Sequence, residues 1–468
     1  MKKSLCPALA LALNVSAHAQ SQDPKPPSDL GKPPMDQAAI YGKKRTEIVQ
    51  ALGAMEKRLD QQNKKLEYAP VTKYASKVVR RQQGGRKIAI WSDAIDAALA
   101  ETGGVFFPAS DEAYYIDRPI ILDSGMHIKA DAGATIRLVE GARVCMVRNR
   151  NLEVVRGLAP GAVPPSGHRD HDISVAGGSW DHASRKRDHE DVREDAANPT
   201  LFNAWGNFLF LNVKDVSLTN LRIMRSPAYA FLAGNGENLL FRDIYYEECF
   251  SDGVHMQGPT KNIVVKNMAG CTGDDFVTMN SYRDEVSEGP IDHVWIKGLR
   301  MEGGMRGMRL LASNGVLADY PLTNVVVQDV TGTRDCKITP CGTPPGTKGG
   351  GDVGFMDWIF LENIDFLDSW VQNGYNKWNG CIQVHTNIGH LYLKNIRGGR
   401  PNITVGPAAY AIRADTAPGY TLKFASELDC MVENLVLEGF PKEEQDDIVE
   451  ILHGKQGGKG EIKNLIFQ

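Results

Sequence analysis

Three aspartates carry the chemistry this chain is equipped for. Asp252 stands in Ser251-Asp252-Gly253, and Asp274 and Asp275 are adjacent in Gly273-Asp274-Asp275. Between them lie a turn at Gly258-Pro259 and the β-branched run Ile263, Val264, Val265. If one coil of chain separates the two motifs, stacking the coils brings the three carboxylates together on one surface. Strands stack about 4.8 Å apart, and like charges at that distance repel. At least one of the three is then expected to hold a proton at a higher pH than a free aspartate would. An acid and a base side by side are the equipment for cutting a sugar bond. A lone Asp-Gly is more often a turn cap; three acids at one-coil spacing favour the catalytic reading.

The elements that must position them repeat along the chain. Each is a β-branched or apolar run followed by a polar or small residue. The pattern starts faintly at residues 173–178 and continues at 216–221, 239–244, 263–268, 294–299, 325–330, 359–364 and 391–396. Asn220, Asp243, Asn267, Gly298, Asp329, Asn363 and Asn395 hold the same place in each run, at spacings of 23, 24, 31, 31, 34 and 32 residues. Asn, Asp and Gly tolerate left-handed backbone, so these positions read as tight corners. A unit of this length that cannot bury its apolar face alone implies a solenoid. Short strands without intervening helices exclude a doubly wound α/β sheet. A propeller fits less well, since its blades repeat every ~40–50 residues.

The fold class expected is therefore all-β, a right-handed parallel β-helix. Its N-terminal end is capped by a helix in residues 92–102, with Ser92 as N-cap and Gly103 as the stop. Residues 441–455 read as a C-terminal helical cap. Strand alternation points Val254, Met256, Val277 and Met279 inward and leaves His255 and Thr278 outside.

Residues 1–19 read as a signal peptide cut after Ala19, with Lys2 and Lys3 before a short apolar stretch and Ala17-His18-Ala19 at its end. Residues 20–84 are a proline-rich linker followed by an amphipathic helix, and 85–468 the β-helix domain. Ile48, Leu52, Met55 and Leu59 in the helix give two readings of residues 38–67. One is an oligomerising coiled coil, the other a surface helix on the main body. The expected location is secreted or periplasmic. The 468 residues carry a formal net charge of -4, which does not suit a nucleic-acid binder, and no later segment has the length of a membrane helix. Removing residues 1–19 leaves seven of the eight cysteines. Cys336 and Cys341 are close enough in sequence to pair, Cys249 and Cys271 are one coil apart and read as stacked buried thiols, and no Cys/His spacing resembles a zinc site.

The order Asp-Gly, one coil, then Gly-Asp-Asp and an apolar strand ending at Asn280 resembles the polygalacturonases, the family 28 glycoside hydrolases. Ser251-Asp252-Gly253 is similar to that family's NTD motif, Gly273-Asp274-Asp275 to its GDD, and Gly177–Asp181 to its GGTIDG. The family's third motif carries a histidine; here residues 303–311 read GGMRGMRLL, and Arg306 stands about where that histidine falls. Arg309 is the nearest candidate for the fourth, RIK. The resemblance implies a right-handed β-helix and inverting hydrolysis of α-linked galacturonides. It implies that Asp275 protonates the leaving oxygen while Asp252 and Asp274 activate water. Arg306 and Arg309 suit a sugar carboxylate, for which a planar fork of donors is fitted. His255 and Asn280 are further substrate-binding candidates. Trp180 opens a charged loop, residues 180–195, that reads either as a sugar-stacking platform or as a solvated loop.

The function that fits best is a secreted, polygalacturonase-like hydrolase acting on a uronic-acid-containing polysaccharide or oligosaccharide. No cofactor or metal is required, and no nucleic-acid or membrane partner is expected. One alternative is a Ca²⁺-dependent lyase on the same scaffold, its acids holding the ion and Arg306 as base. The other is a non-catalytic β-helical adhesin with residues 38–67 as its stalk.

Overall fold

The computed structural model describes residues 36–156, 158–185, 206–281, 286–313, 320–333, 336–341, 355–366, 382–384, 386–397, 403–405, 430–438 and 460–467. The repeated runs pair in parallel, each on the next. Val216, Leu239, Ile263, Val294, Val325, Ile359 and Leu391 are successive register partners. This is the expected right-handed parallel β-helix. One coil runs through residues 229–234, 239–242 and 244–247, so the solenoid has three faces.

The corners lie where the side chains predict them. Asn220, Asp243, Asn267, Gly298, Asp329, Asn363 and Asn395 all have φ between 51° and 72°. Their side chains also stack. The Asn267 amide donates to Asp243 at 3.0 Å, Asn363 to Asp329 at 2.9 Å and Asn395 to Asn363 at 3.0 Å. A second corner row precedes the six runs from 216 to 364: Asp215, Asn238, Asn262, His293, Asn324 and Trp358 also have positive φ. The sequence reading missed it, because His293 and Trp358 break the Asn/Asp pattern.

Val254, Met256, Val277 and Met279 point into the core, as alternation requires. So does Trp180, which is 0% exposed and packs edge-on against Phe107 and Phe208. It is therefore not a sugar platform. Gly177 and Gly178, at φ 81° and 77°, make a corner just before it. That corner sets Trp180 in the inward row between Ile136 and Ile223.

Helix α1 (Asp36–Asn63) lies across the outer side of the repeat face. Ile48, Leu52, Met55 and Leu59 pack on Leu240, Val264, Trp295, Val326 and Phe360. The apolar stripe that an oligomerising stalk would use is thus buried on the chain's own solenoid. Arg242 clamps the helix, donating to Asp60 and Glu56 at 2.9 Å, and Arg45 bonds Glu362 at 2.8 Å. Leu52→Asp would place an unpaired carboxylate in this seam, at a cost of about 3 kcal/mol. The expected result is fast amide exchange along α1 while the coil strands stay protected. Unchanged exchange in α1 would show that the seam does not hold it.

Helix α2 (Ser92–Thr102) covers the N-terminal end, and Gly103 stops it at φ 71°. Ser92 is not the cap. Trp91 holds that place, and the Ser92 hydroxyl bonds Asp117 at 2.7 Å instead. Ala69–Pro70 already pairs in parallel with Val105 and Phe106, so β-structure begins upstream of residue 85. The signal peptide and the C-terminal helix lie outside the described residues; the last strand is Gly460–Phe467. Cys336 and Cys341 open and close one strand. Five residues of strand span roughly 16 Å, too far for the disulfide the sequence suggested. Cys249 is buried but Cys271 is exposed, because Cys249 stacks on Thr272. No helix among the described residues is long and apolar enough to cross a membrane.

Candidate active site

The two acidic motifs meet on one face. Val254 pairs with Val277, which sets Asp252 against Asp275 on the next coil. Gly253 N–H donates to the Asp275 carbonyl at 2.9 Å, and Asp274 N–H to the Ser251 carbonyl at 3.3 Å. The glycines of both motifs allow this approach. A Cβ on Gly253 would lie 2.5 Å from the Phe276 carbonyl oxygen, and one on Gly273 2.4 Å from that of Phe250. Oxygens of Asp252, Asp274 and Asp275 lie within 4.8 Å of one another.

One outward row passes beside the acids. It reads Leu209, Leu232, His255, Thr278, Arg309 on successive coils, turning from apolar to polar where the acids stand. His255 Nδ1 lies 2.7 Å from Asp252 Oδ2. The Thr278 hydroxyl lies 3.1 Å from the same oxygen and 3.2 Å from Asp275 Oδ2, so one hydroxyl stands between two carboxyl groups. Asp252 Oδ1 accepts the Asp275 N–H at 3.2 Å. Arg309 Nε stands 2.5 Å from Asp275 Oδ2. Tyr229 stacks on His255 at 4.0 Å between ring centroids.

The exposure differs from the expected open surface. Asp252 is 1% and Asp275 0% exposed; Asp274 is half-buried, and 28% of the Arg309 side chain reaches solvent. The acids therefore meet solvent through Asp274 and Arg309. Burial by itself pushes the Asp252 carboxyl up. The hydrogen bond from His255 and the charge that ring carries at acid pH, then the Arg309 guanidinium and the Thr278 hydroxyl, outweigh it and hold the group below the usual carboxylate range. The sequence reading expected repulsion to raise at least one of the three carboxyls; Asp252 is not that one, because Arg309 brings a counter-charge from a coil 31 residues on.

His255 and Asn280 are covered, so neither faces a sugar arriving from solvent. Arg306 pairs by its backbone with Asp275, one coil on. Trp180 is in the core, away from the cluster. Thr278, Gln257 and Tyr229 belong to the site and were not read as such. Alternation from His255 and from Thr278 was the signal that places Gln257 and Asn280 on the same side.

Three acids this close are also a cation-ligand set. The donor chemistry fits hard cations such as Ca²⁺, but the Arg309 guanidinium already stands against Asp275 and opposes a second positive charge there.

No known protein-family profile matches the chain. No curated protein matches it in sequence. Among solved structures it is similar to an exopolygalacturonase from Thermotoga maritima, at 14% identity and TM-score 0.47, over 88% of this chain and 96% of that one. A family 28 exopolygalacturonase from Yersinia enterocolitica matches at 13% identity and TM-score 0.45, over 86% and 78%. A tailspike protein of the Escherichia coli phage HK620 matches at 11% identity and TM-score 0.47, over 85% and 65%. Likenesses this distant concern the course of the chain alone.

Proposed function

We propose that this protein is an exported glycoside hydrolase that cuts an α-linked, uronic-acid-containing glycan, in the manner of a polygalacturonase. The observation that carries the reading is the meeting of Asp252, Asp274 and Asp275 across two coils, with Arg309 against one of them. The structure suggests a different division of labour from the one the resemblance implies. An ion pair with Arg309 needs Asp275 charged, and Asp252 is held below the usual range, so both suit the task of activating water. Asp274 is the member that solvent reaches, and it protonates the leaving oxygen. Arg309, part-exposed beside it, offers its remaining donors to a sugar carboxylate.

Water activated by two carboxylates attacks the face opposite the leaving group, so the first product is inverted. The spacing makes this a sharp test. Oxygens within 4.8 Å lie nearer the about 5–5.5 Å between carboxyl groups of retaining pairs than the about 6.5–9.5 Å of inverting ones. Proton NMR of the first product from an oligogalacturonide should show the β-anomer. An α-anomer would move the mechanism to retention. The lyase reading draws on the cation-ligand geometry; it requires that a chelator stop the reaction and that the product be unsaturated.

A further inference from the structure

Resting on the hydrolase reading, a pair of residues behind Asp252 points to how the base is held. Gln257 sits two residues after His255 on the same side of the strand and is fully buried. Its Oε1 accepts two backbone N–H groups, from Val286 at 3.1 Å and Ser287 at 3.0 Å. Two fixed donors settle which end of the amide is oxygen. The NH₂ end must therefore face His255, whose Nε2 lies 3.5 Å away. A donor there leaves Nε2 as the acceptor, and the ring proton goes to Nδ1, 2.7 Å from Asp252 Oδ2.

We propose that Gln257 fixes His255 as the neutral Nδ1–H tautomer, and that His255 is the positioning residue that aims Asp252 and keeps it ionised. The backbone at 286–287 sets Gln257, Gln257 sets the ring, and the ring sets the carboxylate. Tyr229, stacked on the ring, holds its plane. No bond is made or broken by His255 itself; it acts through Asp252.

His255→Phe keeps a ring for Tyr229 to stack on and removes the donor to Asp252 together with the acceptor for Gln257. His255→Asn loses the stack but returns an N–H close to where Nδ1 stood. With an oligogalacturonide, His255→Phe is expected to lower kcat about 100-fold, the scale of a misplaced catalytic group. KM should change little, and the acid limb of the pH profile should move to higher pH. His255→Asn should recover a good part of kcat and return the limb toward its original place. Equal kcat in wild type and His255→Phe would overturn the proposal. So would loss in both variants without recovery by Asn.

A second measurement needs no turnover. Two-bond ¹H–¹⁵N NMR of the whole protein at neutral pH should show His255 protonated at Nδ1 alone. ¹³C titration should show the Asp252 carboxyl moving up in His255→Phe. Protonation at Nε2, or an Asp252 midpoint unmoved by the substitution, would overturn it. A wild type that cleaves no uronide sinks the hydrolase reading instead, and these two spectra still decide the role of His255.

Discussion

Asp274→Asn is expected to lower kcat on an oligogalacturonide by about 10³-fold, within the range general acid catalysis supplies. KM and the thermal midpoint should hold, because Asp274 is half-buried and its replacement by the isosteric amide leaves no unpaired charge in the interior. A substrate with a nitrophenyl leaving group needs little protonation, so on it Asp274→Asn should lose far less. Asp275→Asn removes water activation and should lose heavily on both substrates. This contrast separates the two roles. If Asp275→Asn is the variant spared by the good leaving group, the assignment implied by the resemblance is right and the one drawn from Arg309 is wrong.

Arg309→Met is expected to be the most destabilising single change at the site. It strips the counter-charge from Asp275, which is 0% exposed, and from Asp252 beside it. Removing one partner of a buried pair costs about 3–5 kcal/mol; with 28% of the Arg309 side chain exposed, about 2 kcal/mol is expected. The sign with pH follows from Asp252. Its folded pKa is depressed, so its contribution is present above the unfolded value of about 3.9 and is lost as pH falls through the folded value. The gap between wild type and Arg309→Met should therefore be wide at pH 7 and close in acid, as pH falls through the folded value. Adding Asp275→Asn to Arg309→Met should recover part of the loss, since the buried charge at Asp275 goes with its partner while Asp252 keeps its hydrogen bonds from His255 and Thr278. Urea unfolding at pH 7 and in acid measures this. Equal stability at pH 7 would mean that Arg309 is surface charge and not part of the cluster.

What the sequence made legible follows from how few residue types each position accepts. The corner row was readable because left-handed backbone selects Asn, Asp and Gly. That selection survived loops that stretched the spacing from 23 to 34 residues. The meeting of Asp252 with Asp274 and Asp275 was readable because no loop intervenes and one coil is a fixed length. Arg309 was named as a sugar ligand, and the structure sets it as an ion-pair partner of Asp275. Its register is set by a longer coil with an irregular step between Thr272 and Asp275, which spacing alone does not reveal. Trp180 was misplaced because a Gly-Gly corner resets the alternation just before it. Asp252 and Asp275 are buried, and a period along the strand is blind to that.

The central claim is that these three carboxylates add water across a uronide bond. Polygalacturonate cleaved in H₂¹⁸O tests it most directly. The account predicts one ¹⁸O at each new reducing end and no ultraviolet-absorbing double bond, with Asp274→Asn and Asp275→Asn both failing to label. Unsaturated ends free of ¹⁸O, or label that persists in both variants, would contradict it.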